Sequence, residues 1–324
     1  MRYAWIDICK AFLIFTMVMG HAGATGWERD WFYAFHMPAF FIISGFLYKP
    51  RPVHRTARGF FFPVLVFGLL TIVYGFGREY LKTGEVHPIN YLMHSWQPLL
   101  FNNDGTYHTP FTGVWFIMVL FFCRCLLGDV RVFSPLRNHA ATTGAVCLAA
   151  SLALQYVPAF IHLSVWHVAK VVYCMPFLCA GLLLKRYADV LLRLRTSLLV
   201  GLALTYVVLT YLNSPTDLYE RFFGRFLALV YLNAGVASLL LFNLTGRIRI
   251  ASPKALQVIR LWSAGTMVVL GIHGIIIDMY KVLGYRHYIQ DFHLSYLVLA
   301  CLVMLLVLPL TSYLLKHFPA VCGK

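Results

Sequence analysis

The sequence predicts an all-α integral membrane protein, one polytopic domain over residues 1–324 with about ten transmembrane helices and both termini cytoplasmic. Three observations carry this. The chain is 60% hydrophobic and only 12% charged, where a soluble domain has about 25% charged residues. Ten apolar runs can be marked, at about 4–22, 31–48, 59–77, 113–128, 139–157, 167–184, 197–213, 226–244, 264–283 and 292–315. Most reach the roughly 17–25 residues that a spanning helix needs.

Basic residues supply the third observation. With the N-terminus inside, the inner segments hold Arg2 and Lys10, then Lys49, Arg51, Arg55 and Arg58, then Arg124, Arg131 and Arg137. They continue with Lys185, Arg186, Arg193 and Arg195, then Arg247, Arg249, Lys254 and Arg260, and end with Lys316 and Lys324. The outer segments hold Arg29, Arg78, Lys82, Arg221, Arg225, Lys281 and Arg286, and Lys170 is left inside a run. Most of the 27 cations are therefore inside, as the positive-inside rule requires. The formal charge of +15 is spread over short segments between apolar runs. Nucleic-acid binding would need those charges gathered on one soluble face.

The first run carries Asp7, Lys10 and His21 in a stretch otherwise apolar enough for a bilayer. Intramembrane charge is costly and marks function by default. Lys10 and His21 are eleven residues apart, close to three turns, so they share a stripe with Ile14 and Met17 and lie about 16 Å apart along the axis. That suits a helix lining a path between two compartments. The plainer alternative is a snorkelling Lys10 and an interfacial His21. The stretch Ala22-Gly-Ala24 resembles a signal-peptidase site, but Asp7 and Lys10 do not belong in a signal core, so a retained helix is expected.

The second run places His36 in the outer half. After it come Lys49, Arg51, His54, Arg55 and Arg58, where Arg55 and Arg58 would share a face if helical. Arginines suit phosphate, and a basic juxtamembrane loop equally sets orientation and touches anionic lipid. The long outer loop at about 78–112 holds His87, His94, Asp104 and His108 without zinc spacing. His167 and Lys170 open the sixth run on the outer side, and His273 lies mid-to-outer in the ninth, with Tyr280 on its face and Asp278 pointing elsewhere. Eight cysteines show neither a CxxC pair nor metal-ligand spacing, so no metal and no disulfide framework is expected. The outer groups His21, His36, His273 and Lys170, with Glu28 and Asp30, offer imidazole bases and a cation for a developing oxyanion. Each also has a structural reading, as a satisfied helix-packing histidine or a snorkelling lysine.

Several stretches bear on a family. Trp5-Ile-Asp7-Ile-Cys-Lys10, then ten residues, then His21 after Gly20, resembles the opening motif of the membrane acyltransferase-3 family. Phe35-His36-Met37-Pro38-Ala-Phe40-Phe41-Ile-Ile-Ser44-Gly45-Phe46-Leu47 is similar to its second helix, and Arg55-Thr-Ala-Arg58 with Pro63 to its cytoplasmic basic motif. Trp115-Phe116, Met175-Pro176-Phe177 with Gly181, and Gly271-Ile-His273 are looser matches in the family's order. The family usually has arginine where this chain has Lys10, which keeps the charge but loses the guanidinium fork. The closest members in look are the fucose 4-O-acetylase-like sugar O-acetyltransferases.

The resemblance implies an acyltransferase that moves an acyl group, commonly acetyl, from cytoplasmic acyl-CoA to a sugar hydroxyl of a cell-surface or lipid-linked glycan, in a bacterial inner membrane. Within it, His21 would activate the acceptor or briefly carry the acyl group. Lys10, supported by Asp7, would hold the donor, and Arg55 and Arg58 would bind the phosphates of acetyl-CoA. His36, Lys170 and His273 would shape the acceptor site. The sequence leaves the acyl length, the acceptor and the oligomeric state open, a homo-oligomer included. The rival reading is an exporter of polysaccharide intermediates or a proton-coupled transporter, since intramembrane Asp, Lys and His also form proton relays. The sequence shows neither an inverted repeat nor paired Gly/Pro-broken helices in its favour.

Overall fold

A computed structural model describes residues 4–86, 113–161, 167–282 and 295–324. Twelve helices of eight or more residues lie in these segments: α1 Ala4–Ala22, α2 Gly26–Tyr33, α3 His36–Phe46, α4 Val53–Thr83, α5 Val114–Arg124, α6 Ala140–Leu154, α7 Val168–Arg186, α8 Thr196–Asn213, α9 Leu227–Arg247, α10 Pro253–Ala264, α11 Thr266–Val282 and α12 Ser295–His317. No strand occurs among the described residues, and all eight cysteines are free.

Each apolar run falls on helix, but the runs divide into two kinds. α1, α4, α7, α8, α9 and α12 are long and apolar enough to cross a membrane, and α10 with α11 makes a seventh candidate, bent by 81° at the junction. The remaining runs fold into shorter pieces. Run 31–48 is split into α2 and α3, whereas run 113–128 becomes α5 followed by a π-turn over Cys125–Asp129 that ends with Gly128 at φ 114°. Run 139–157 gives the 15-residue α6. Run 264–283 gives only the 17 residues of α11, and α10 occupies what the sequence reads as an inner loop.

Helix α1 is the hub. Cys9, Leu13, Ile14 and Val18 are fully buried, and the helix packs against α2, α3, α9, α10, α11 and α12. A helix apolar on nearly every side is stable only when surrounded. Asp7 in its first turn complements the helix dipole. The outer helices leave apolar side chains exposed, such as Leu204 and Val208 on α8 and Leu305 and Leu306 on α12, as a lipid-facing surface requires.

The tightest helix pair is α3 on α7. A Cβ on Gly45 would overlap the Leu178 carbonyl, and one on Gly181 would overlap the Ile42 carbonyl, so the two glycines let the backbones touch. This crossing fixes α3, and with it His36. At 31 residues α4 is about 46 Å long, longer than the hydrocarbon core. Its first turns carry Arg55 and Arg58, exposed on one side, so the basic segment is helical rather than a loop. We expect Gly45→Ala to cost about 1–3 kcal/mol by overpacking. It should lower the melting temperature in a thermal-shift assay. Gly201→Ala on α8, whose Cβ would meet nothing within 4 Å, should leave that temperature unchanged or raise it slightly.

Candidate active site

The outer end of α1 meets α11 through two imidazoles. His273 is fully buried, and its Nδ1 lies 2.8 Å from the carbonyl of Val269 and 3.1 Å from that of Leu270. Carbonyls only accept, so this nitrogen carries the proton. In the neutral ring Nε2 is then an acceptor, and it sits 2.9 Å from Nδ1 of His21. His21 therefore donates from Nδ1, which leaves its Nε2 as a lone-pair acceptor with no hydrogen-bond partner among the described residues. The ring centroids are 4.9 Å apart. The pair has the logic of a base whose tautomer and direction are set by a second group.

Packing around the pair explains two motif residues. A Cβ on Gly20 would come within 2.6 Å of the Tyr33 ring, so only glycine lets that ring lie across the end of α1. Tyr33 in turn meets His36 edge-on at 5.2 Å, and the Arg29 guanidinium lies 4.5 Å above it. His36 is buried and donates from Nδ1 to the carbonyl of Phe32, 2.6 Å away. Gly271, two residues before His273, lies against the Phe67 ring of α4, which seats α11 closely.

His21 opens onto a cavity of about 410 Å³, within the usual size of small-molecule sites. Met17, Tyr33, His36 and Met37 line one side, Trp115 and Phe116 of α5 another, and Leu270, Gly274, Ile277 and Asp278 of α11 a third. Residues 217–220 of the α8–α9 connection close it. That connection is built on Asp217. Its Oδ1 accepts from the backbone N–H of Tyr219 and Glu220 at 2.9 and 3.2 Å, and its Oδ2 pairs with Arg29 at 3.1 Å. Burial raises the Asp217 carboxyl above the ordinary carboxylate range, against the pull of those N–H groups and of Arg29. Asn213 secures the base of the loop by accepting from the N–H of Arg225 and Phe226. Lys170 stands behind this wall, buried, with its ammonium 4.2 Å from the Tyr219 ring and 5.1 Å from that of Trp115.

The structure thus brings His21 and His36 to one cavity, with His273 buried behind His21 and Lys170 one aromatic layer away. Asp278, which the sequence reading turns away from His273, lines the same cavity; it pairs with Arg78 at 2.7 Å and accepts from Tyr74. Its five-residue offset separates it from His273 on the helix surface: His273 is buried against His21, whereas Asp278 lines the cavity. Arg29, Tyr33, Trp115, Asp217 and Tyr219 complete the site without having been picked out for it by spacing. Their contacts join segments up to 188 residues apart. His87, His94, Asp104 and His108 lie outside the described residues. Among those described, no group of three His, Cys, Asp or Glu could hold a metal ion.

The remaining predicted residues are elsewhere. Lys10 donates to the backbone carbonyl of Ser263 at 2.8 Å, and Asp7 accepts from the Ser263 hydroxyl at 2.7 Å. Both are at the inner end of α1, and the cavity stops at Met17, above the fully buried Ile14. Arg55 and Arg58 are in the first turns of α4. Asp129 fixes that start: its carboxylate accepts from Tyr48 Oη, Arg51 N, Thr56 Oγ1 and Arg124 Nε at 2.7–3.1 Å. Thr56 lies between the two arginines, so they are held outward.

A half-buried His21, hydrogen-bonded to a fully buried His273, thus faces a cavity inside a bundle of apolar helices long enough to cross a membrane. Residues 3–315, nearly the whole chain, match the acyltransferase-3 family model, described as an acyltransferase domain. The chain belongs to the membrane acyltransferase-3 family and is a multi-pass membrane acyltransferase. No curated protein and no solved structure matches it. For the cavity wall, Asp217→Ala should cost about 1–3 kcal/mol by leaving its donors unpaired. Hydrogen exchange at Tyr219 and Glu220 should rise while that of α1 stays protected.

Proposed function

We propose that this acyltransferase moves an acetyl or other short acyl group from cytoplasmic acyl-CoA to a sugar hydroxyl of a cell-surface or lipid-linked glycan. The observation that carries the reading is the His273–His21 hydrogen bond, which leaves Nε2 of His21 as a base toward the cavity. The acceptor hydroxyl gives its proton to that nitrogen as its oxygen attacks the thioester carbon. The C–O bond forms, the C–S bond breaks, and the proton passes to the departing thiolate, which regenerates neutral His21. His273 holds the tautomer and stabilises the transient imidazolium by accepting from its Nδ1–H. Histidine as a brief acyl carrier uses the same nitrogen as nucleophile. An N–C bond forms as the C–S bond breaks; the acceptor oxygen then displaces the imidazole, and the hydroxyl proton ends on the thiolate.

The cavity suits a sugar. Trp115, Tyr219 and Tyr33 offer flat faces, and Arg29, Asp217, Glu220 and Asp278 offer hydrogen bonds around them. Lys170 backs two of those rings, and His36 backs the third. On the cytoplasmic side, Arg55 and Arg58 bind the phosphates of coenzyme A. Each apolar run is one crossing in this reading, ten in all, with both ends cytoplasmic in a bacterial inner membrane, as the loop charges and the resemblance support. The thioester then travels outward past Ile14 and Met17, the side chains it must displace.

The test is turnover of radiolabelled acetyl-CoA by protein in nanodiscs with a panel of sugars. His21→Ala, folded as judged by its melting temperature, should release coenzyme A at least about a hundredfold more slowly. Unchanged release by that variant would sink the assignment of the base. Transport of a labelled glycan with no acyl turnover by the wild type would replace the enzyme reading by an exporter.

A further inference from the structure

The intramembrane cation Lys10 and its neighbour Asp7 do not line the cavity; both bond to Ser263. They hold the break between α10 and α11. At that break the chain turns by 81°, so the last carbonyls of α10 lose their helical donors. In a bilayer such groups must be satisfied inside the protein. The Ser263 carbonyl receives two donors, Lys10 Nζ at 2.8 Å and Thr266 Oγ1 at 3.0 Å. A cation is favoured at a helix C-terminus. The Ser263 hydroxyl donates to Asp7 at 2.7 Å. Asp7 and Lys10 are three residues apart on one face of α1, so α1 grips one residue of the break by both its main chain and its side chain. Gly265 seals the other side, where a Cβ would overlap Thr311 of α12.

From Thr266, α11 runs seven residues, about 10 Å, to His273. There it meets α1 again, at His21. Two helices are thus fastened at two points about 16 Å apart along α1, with the fully buried Ile14 between them. A helix is stiff over that length. Releasing the lower fastening lets α11 rotate or slide, and a slip of one residue turns His273 by about 100°. The hydrogen bond that sets the His21 tautomer would be lost.

We propose that Lys10, with Asp7, is a positioning residue: through Ser263 and α11 it sets the register in which His273 meets His21. The ten-residue gap between Lys10 and His21 is then a spacing between two fastenings to one neighbouring helix unit. This rests on the proposed role of His21 as the base, and it gives Lys10 a task other than holding the donor.

The experiment is a double-mutant cycle of Lys10→Met and His273→Gln in nanodiscs, read as kcat and as KM for acetyl-CoA. Lys10→Met should lower kcat about tenfold or more with donor KM within about twofold, and should add less than about threefold once His273→Gln is present. Lys10→Arg, which still donates to the Ser263 carbonyl, should restore most of the rate. Multiplying effects in the cycle, or a raised donor KM with kcat preserved, would overturn the proposal and make Lys10 a donor contact. A second readout needs no turnover: the ¹⁵N imidazole signals of His21 and His273. Lys10→Met should remove the hydrogen-bonded tautomer pattern and Lys10→Arg should keep it. If Lys10→Met leaves the pattern intact, positioning is refuted. If the pattern responds but the wild type turns nothing over, the positioning stands and the acyltransfer reading alone fails. Ser263→Ala, which deletes only the bond to Asp7, repeats the NMR test with the same expected direction should Lys10→Met not fold.

Discussion

Inside a bilayer each polar group must find its partner within the protein, and α1 meets that constraint against one neighbour. Its inner pair, Asp7 and Lys10, closes on Ser263, and its outer His21 closes on His273. Everything else is arranged so that α1 can be surrounded. The touching backbones at Gly45 and Gly181 place α3 and α7 on one side. The bent unit α10–α11 and α12 enclose the other.

The cavity follows from that packing. Splitting the second apolar run into α2 and α3 turns Arg29 and Tyr33 over the end of α1, where only Gly20 leaves room for the ring. The α8–α9 connection comes down on the same place because Asp217 pairs with Arg29 and shapes its own turn. A buried carboxylate tied to two N–H groups and a guanidinium is a stiff support. Lys170, costly to bury, is shielded by the faces of Trp115 and Tyr219. Asp129 repeats the device at the start of α4, which it anchors while leaving Arg55 and Arg58 outward.

A break in a transmembrane helix is often tied to moving a solute. Here, among the described residues, it stands without a counterpart and is filled by Lys10, Thr266 and the neighbouring Thr311 rather than left open. Its effect is to deliver α11 to His21 at a fixed register. In the proposed mechanism the chemistry is at the far end of that helix, not at the break.

The membrane class, the family and the histidines His21, His36 and His273 were legible in the sequence, for a definite reason. Apolar runs and basic loops are local averages, and the opening and second-helix motifs lie within the first 63 residues. His21, His36 and His273 stand out because imidazoles in apolar runs are uncommon. Their convergence was not legible, since His21 and His273 are 252 residues apart and meet only when α11 packs on α1. The lengths of the helices were not legible either. Hydropathy marks run 31–48 as one stretch, yet it folds as two helices, and run 264–283 hides a bend whose other arm, α10, reads as a loop. The Lys10–His21 spacing was visible as a stripe on one helix. Which partners that stripe faces is a matter of tertiary packing, because a periodicity gives the face of a helix but never the identity of what lies against it.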